Sequence, residues 1–204
     1  SVSPISSQHS RFAASSKERE MNSATKNHIA SFHQQDTSPG TAAIHKLDLD
    51  PIKIKLMDHE EGEGWSRDQA DVVELWYKRY LMLNLKFPKS SIVPNKLIDT
   101  FWHYHILDTM KYADDCQNVF GYFFHHFPYF GMRSSEDANN LKRAFASTEY
   151  LFLHEFGESL SELLNTFCAS DGLEAAKCKA GNCRSCKNSA GNLDEERPRF
   201  SLTH

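Results

Sequence analysis

NKLIDTFWHYHILDTMKYADDCQNVFG, residues 95–121, decides how this chain folds. At helical spacing Ile98, Phe101, Trp102, His105, Thr109, Tyr112, Cys116 and Val119 fall on one stripe. A helix of 3.6 residues per turn directs such a stripe at a core. Val93-Pro94-Asn95 opens the helix and Gly121 closes it. Because each residue advances about 100°, His103 and His105 point roughly 200° apart and cannot hold one ion from a straight helix. His105 belongs to the buried face. His103 lies on the far side, four residues after Asp99, whose carboxylate can accept a proton from the imidazole.

A helix with histidines on both sides needs cover on both sides. The Phe-rich stretch FGYFFHHFPYFG (residues 120–131) is the expected second cover and brings His125 or His126 close. Adjacent residues diverge, so one of the pair is expected to face a given site. Upstream, LDLDPIKIKLMD alternates apolar and polar residues over Ile52, Ile54 and Leu56, which predicts a short strand or extended lead-in. Ser66 and Gln69 make a capping box for a helix running to about Lys86. Phe87-Pro88 ends it. Ser134 or Ser135 caps another helix with Ala138, Leu141, Phe145, Thr148 and Phe152 on one stripe; Gly157 breaks it. Leu160, Leu163, Leu164 and Phe167 continue in a short last helix. The prediction is a mainly α, single small helical domain over residues 47–167. It carries a short extended N-terminal segment, a disordered arm over residues 1–46 and a flexible cysteine-bearing tail over residues 168–204.

The 204 residues carry a formal net charge of −4, with no concentrated basic face of the kind phosphate backbones require. Nucleic acid is therefore not an expected partner. No apolar run is long enough to span a bilayer, so neither is a membrane. Five cysteines, three of them near the C-terminal end, do not look like a secreted disulfide framework. A cytoplasmic protein is expected, with organelle targeting left open: Arg11 and Lys17 among serines suit a transit segment, while Glu18 and Glu20 do not.

IKIKLMDHEEGEGWS, IVPNKLIDTFWHYHILDTMKYADDC and FGYFFHHFPYFGMR together resemble the glycine-rich domain-containing protein-like family, whose domain also forms the N-terminal part of larger plant glycine-rich domain proteins. The resemblance covers residues 52–157. The family pattern is an Asp, a Trp-His-x-His and a later Tyr, here Asp99, Trp102, His103, His105 and Tyr112. The glycine-rich segment of the plant proteins is missing, because the nine glycines are scattered. The resemblance implies a domain type and no particular reaction.

Two readings of the histidines compete. In the first, His103, His105 and one of His125 and His126 are metal ligands, with Cys116 or Asp108 as a further donor, suiting zinc or iron. Asp99 would then orient His103, Trp102 would wall the site, and Tyr112 would position water or a small substrate. In the second, the His/Asp/Tyr set is a hydrogen-bonded network inside a non-catalytic protein-interaction module, with an aromatic surface near Pro128. Ring nitrogens within about 3–4 Å of one another favour metal. His154 and Glu155 are more distant candidates. FPYFGMR (residues 127–133) reads as a packed turn. In the tail, Cys178, Cys183 and Cys186 stand as C-x4-C-x2-C, half of a zinc knuckle that lacks a fourth ligand unless Cys168 or His204 folds back.

Overall fold

The computed structural model describes residues 38–169 and the backbone of residues 187–189. The chain divides into two units, Ser1–Thr37 and Ser38–His204, and every described residue belongs to the second. Among the described residues seven helices follow one another: α1 (Pro39–Lys46), α2 (Asp50–Met57), α3 (Arg67–Lys86), α4 (Lys96–Leu107), α5 (Thr109–Phe120), α6 (Ser135–Phe156) and α7 (Leu160–Ala169). Between α5 and α6 lies β1 (His125–Phe127), paired antiparallel with β2 (Lys187–Ser189), so that His126 stands opposite Asn188. The mainly α domain expected from the sequence is what forms.

The central element is α3, against which α1, α2, α4 and α7 all pack. Its start is the expected capping box: Gln69 N–H donates to Ser66 Oγ at 3.2 Å, and Ser66 N–H donates to Gln69 Oε1 at 2.9 Å. The Gln69 amide also donates to the Phe167 carbonyl, tying α7 to the first turn of α3. Trp76, Tyr77 and Tyr80 point inward and meet Phe152, Phe101 and Trp102. Burial of these large rings is the main driving force for the fold, each worth about 1.5–3 kcal/mol or more.

Two segments depart from expectation. Residues 39–46, assigned to the arm, form α1. Ser38 Oγ accepts from Thr41 N–H and Pro39 sits in the first turn, while Ile44 is fully buried. One deeply buried apolar side chain in eight residues is too few to show a period. Residues 50–57, expected to be extended, form α2. Pro51 pre-sets its first turn. Ile52 and Leu56, one turn apart, are buried while Ile54 is exposed, so helical spacing overrides the apparent alternation. Lys53 is buried instead of Ile54, its ammonium held by Asp50, Asp71 and Glu74 at 2.6–2.8 Å.

The helix expected over residues 95–119 is two. Asp108 (φ −81°, ψ 74°) ends α4 and caps α5, its Oδ1 accepting from Lys111 N–H at 3.4 Å. The bend lets α5 fold against α4 instead of extending it. Phe127 and Phe130 pack with Val93 in a second small core. Phe127 and Phe130 beside Pro128 are thus the packed turn expected, while Tyr122 and Phe123 are exposed nearby.

Candidate metal centre

The first turns of α4 place Asp99 and His103 on one side, one helical turn apart. Asp99 is buried, and His103 is half exposed. From the other direction β1 delivers His126, whose ring packs edge-on against Trp102 with centroids 4.5 Å apart. The three ligand atoms then lie within 4.8 Å of one another. His103 Nε2 and His126 Nε2 are 2.8 Å apart, His126 Nε2 is 3.2 Å from Asp99 Oδ1, and His103 Nε2 is 3.8 Å from Asp99 Oδ2. Among the described residues this is the group of His, Cys, Asp and Glu side chains that could hold a metal ion.

The proton inventory of this group is short. A carboxylate accepts only, so the Nε2 of His126 must carry the hydrogen it shares with Asp99, and His103 Nε2 faces it with a lone pair. Burial pushes the His103 pKa below its usual range; the Asp99 charge opposes this and the neighbouring His126 adds to it. The ring is thus held neutral, the form that ligates metal. In a tetrahedral site with bonds of about 2.0–2.1 Å, ligand nitrogens stand about 3.3 Å apart. The two rings need to part by about half an ångström to admit an ion, within the reach of small side-chain rotations. The residues present fit a divalent cation bound by two imidazoles and one carboxylate, with solvent access on the His103 side.

His105 is not part of this group. It is buried on the opposite face of α4, as its 200° offset requires, with Nδ1 2.9 Å from Tyr77 Oη and Nε2 2.9 Å from Asp115 Oδ2. Asp115 can only accept, so Nε2 carries a proton, and Nδ1 shares a hydrogen bond with the Tyr77 hydroxyl. Burial works against the Asp115 charge, but His105 and Lys111 together keep its carboxyl below the ordinary range. Sequence reasoning missed Tyr77 and Asp115, since a tyrosine on α3 and an aspartate on α5 carry no motif.

The other candidates are also elsewhere. His125 is exposed and lies beside Phe123. Asp108 is a helix cap. Cys116 is a buried thiol whose pKa burial pushes up, hydrogen-bonded to Tyr112 and to the Phe124 backbone. Tyr112 is buried too, taking a hydrogen bond from Trp102 Nε1 at 2.9 Å and giving one to the Phe124 carbonyl. It has no face toward a substrate. His154 is exposed on α6, stacked on Tyr150 beside Glu155. Cys178, Cys183, Cys186 and His204 lie outside the described residues, while Cys168 is disulfide-bonded, which removes it as a zinc ligand in that state.

No helix among the described residues is long and apolar enough to cross a membrane. What the fold and the group define is a small α-helical domain with a two-histidine, one-carboxylate cluster near its surface. The model of the UCP032817-like family matches residues 41–150, more than half of the chain, and the chain belongs to that family. Asp99, His103 and His126 all fall inside the matched segment. No curated protein and no solved structure matches the chain.

Proposed function

We propose that Asp99, His103 and His126 bind one divalent metal ion, zinc or ferrous iron, and that the centre supports metal-assisted chemistry on a small substrate. The observation that carries this reading is the convergence of two imidazole nitrogens to 2.8 Å beside a buried carboxylate, from elements far apart in sequence. To admit an ion, His126 would move its proton from Nε2 to Nδ1, so that both Nε2 atoms present lone pairs and both rings stay neutral. Two neutral imidazoles and one carboxylate leave it a net positive charge. When bound, it would act as a Lewis acid on an oxygen donor entering from the His103 side. Asp99 contributes charge and one donor atom, His103 the ligand nearest solvent, and His126 the ligand backed by Trp102.

The second reading, a non-catalytic interaction module, draws on the same distances. Asp99, His126 and His103 are already linked at hydrogen-bonding range with one shared proton, a complete network without any ion. Calorimetric titration with Zn(II) separates the two. One ion per chain, lost in His103→Ala and His126→Ala, is the result expected of the metal centre. No heat of binding in the wild-type protein supports the network.

We further propose that the domain is the one shared with glycine-rich domain-containing proteins, supported by Asp99, Trp102, His103, His105 and Tyr112 standing in that family's pattern. A cytoplasmic setting is proposed from the cysteine pattern of the sequence.

A further inference from the structure

His126 is the ligand that the fold has to work hardest to place. Asp99 and His103 ride on one helix, but His126 sits on a three-residue strand after a tight aromatic turn. Two residues before it, Phe124 is gripped at both of its backbone polar groups. Its carbonyl accepts from the Tyr112 hydroxyl, and its amide group hydrogen-bonds to the Cys116 thiol. Tyr112 and Cys116 are one turn apart on α5, and both are buried. The same Tyr112 oxygen accepts from Trp102 Nε1 at 2.9 Å, and the Trp102 ring in turn stacks on Phe124 and touches His126.

Resting on the metal reading above, we propose that Tyr112 is the positioning residue of the centre. Through Trp102 on α4 and Phe124 before β1, it fixes the distance between the two elements that supply the ligands. It does not touch the ion. A phenol is suited to this because its oxygen can accept and donate at once, and each bond points at a different ligand-bearing element. Losing the hydroxyl leaves two buried groups, the Trp102 N–H and the Phe124 C=O, without their partner. The spacing between α4 and β1 is then less tightly fixed, and a donor set held loosely loses metal affinity.

The test compares Tyr112→Phe with Tyr77→Phe, a control that removes an equally buried hydroxyl from the His105 side of α4. Both are titrated with Co(II), reading affinity and the ligand-field absorption. Tyr112→Phe is expected to bind about 10–100-fold more weakly with an altered spectrum, as for a lost outer-shell partner. Tyr77→Phe is expected to match wild type within about twofold, because its hydroxyl meets His105 and not Trp102 or Phe124, the groups that Tyr112 bridges. Equal behaviour of the two variants overturns the proposal. Should Tyr112→Phe fail to fold, Cys116→Ala, which removes the thiol's bonds to the Phe124 amide and to Tyr112 but keeps the Tyr112 hydroxyl, carries the same comparison and must shift Co(II) affinity in the same direction. Should the wild-type protein bind no Co(II), the metal reading falls. The positioning claim is then decided on the metal-free protein by imidazole nitrogen NMR. Tyr112→Phe must move the His103 and His126 resonances and Tyr77→Phe must leave those two in place; His105, which touches both tyrosines, decides nothing, and unmoved His103 and His126 in Tyr112→Phe refute the claim.

Discussion

His103 Nε2 and His126 Nε2 lie 2.8 Å apart across 23 residues of sequence. Imidazoles placed so closely must share one proton or one cation, and the buried Asp99 carboxylate beside them favours either positive occupant. His105, two residues from His103 in the chain, takes no part in this contact. Its ring is spent on Tyr77 and Asp115.

This division predicts opposite outcomes for two neighbouring substitutions. His105→Ala removes a buried ring and strands the Tyr77 hydroxyl, and should lower stability by about 2–4 kcal/mol while leaving metal stoichiometry intact. His103→Ala, on a half-exposed side chain, should change stability by less than about 1 kcal/mol and abolish binding. Denaturant unfolding paired with metal analysis reads both. A His105→Ala protein that stays folded but binds no ion would show that the two histidines are one unit.

Metal affinity should depend on pH with a definite sign. Ligation needs neutral imidazole, and burial keeps His103 neutral to a pH below its ordinary pKa of 6.5. Affinity should therefore fall on acidification as protons compete for the ring, with the His103 midpoint below 6.5. Zinc titrations across mildly acidic pH, paired with NMR of the His103 ring, test this; a His103 midpoint above 6.5 would contradict a desolvated ring.

At the start of α6, Asp137 accepts from the N–H groups of Gly131 and Arg133 and pairs with the Arg133 guanidinium at 2.6 Å. These contacts, the Arg133 side chain first, hold its carboxyl below the usual 3.8. A depressed acid stabilises the fold above its unfolded-state pKa and ceases to do so as pH falls through the folded value. Asp137→Asn should cost about 1–2 kcal/mol at neutral pH, and its deficit should shrink on acidification below pH 3.8. Urea midpoints of both proteins across acid pH give the answer, and a pH-independent gap would assign the loss to packing.

Lys53 is the cation that allows Asp50, Asp71 and Glu74 to crowd together at the α2–α3 contact. Lys53→Met keeps the buried stem and removes the charge. Because Asp50 and Asp71 remain partly exposed, the expected cost is about 1–3 kcal/mol, below that of a fully buried pair. Added salt should recover part of it by screening the carboxylates. Unfolding in low and high salt measures this; a loss unchanged by salt would point to packing as the cause.

Much of the fold was legible because its signals are local. The Ser66–Gln69 capping box, the Gly121 and Gly157 stops and the stripe from Ile98 to Trp102 each rest on residues within a few positions of one another. The rest depended on tertiary packing. Apart from Pro51 in its first turn, α2 is distinguished from a strand only when Leu56 and Ile52 are packed inward together, leaving Ile54 outside. At the site, Asp99 and His103 were visible as an i, i+4 pair, and the opposed directions of His103 and His105 followed from helix geometry. Choosing His126 over His125 was not possible from the sequence. That choice is made by Trp102 and Phe124, which turn β1 so that His126 faces α4.

The most direct measurement is anomalous scattering from crystals of zinc-loaded protein, recorded on both sides of the zinc absorption edge. The account predicts one peak about 2.0–2.1 Å from the Nε2 atoms of both His103 and His126, with an Asp99 oxygen completing three protein ligands. A fully loaded crystal with no peak at these residues, or with its zinc elsewhere, would contradict it.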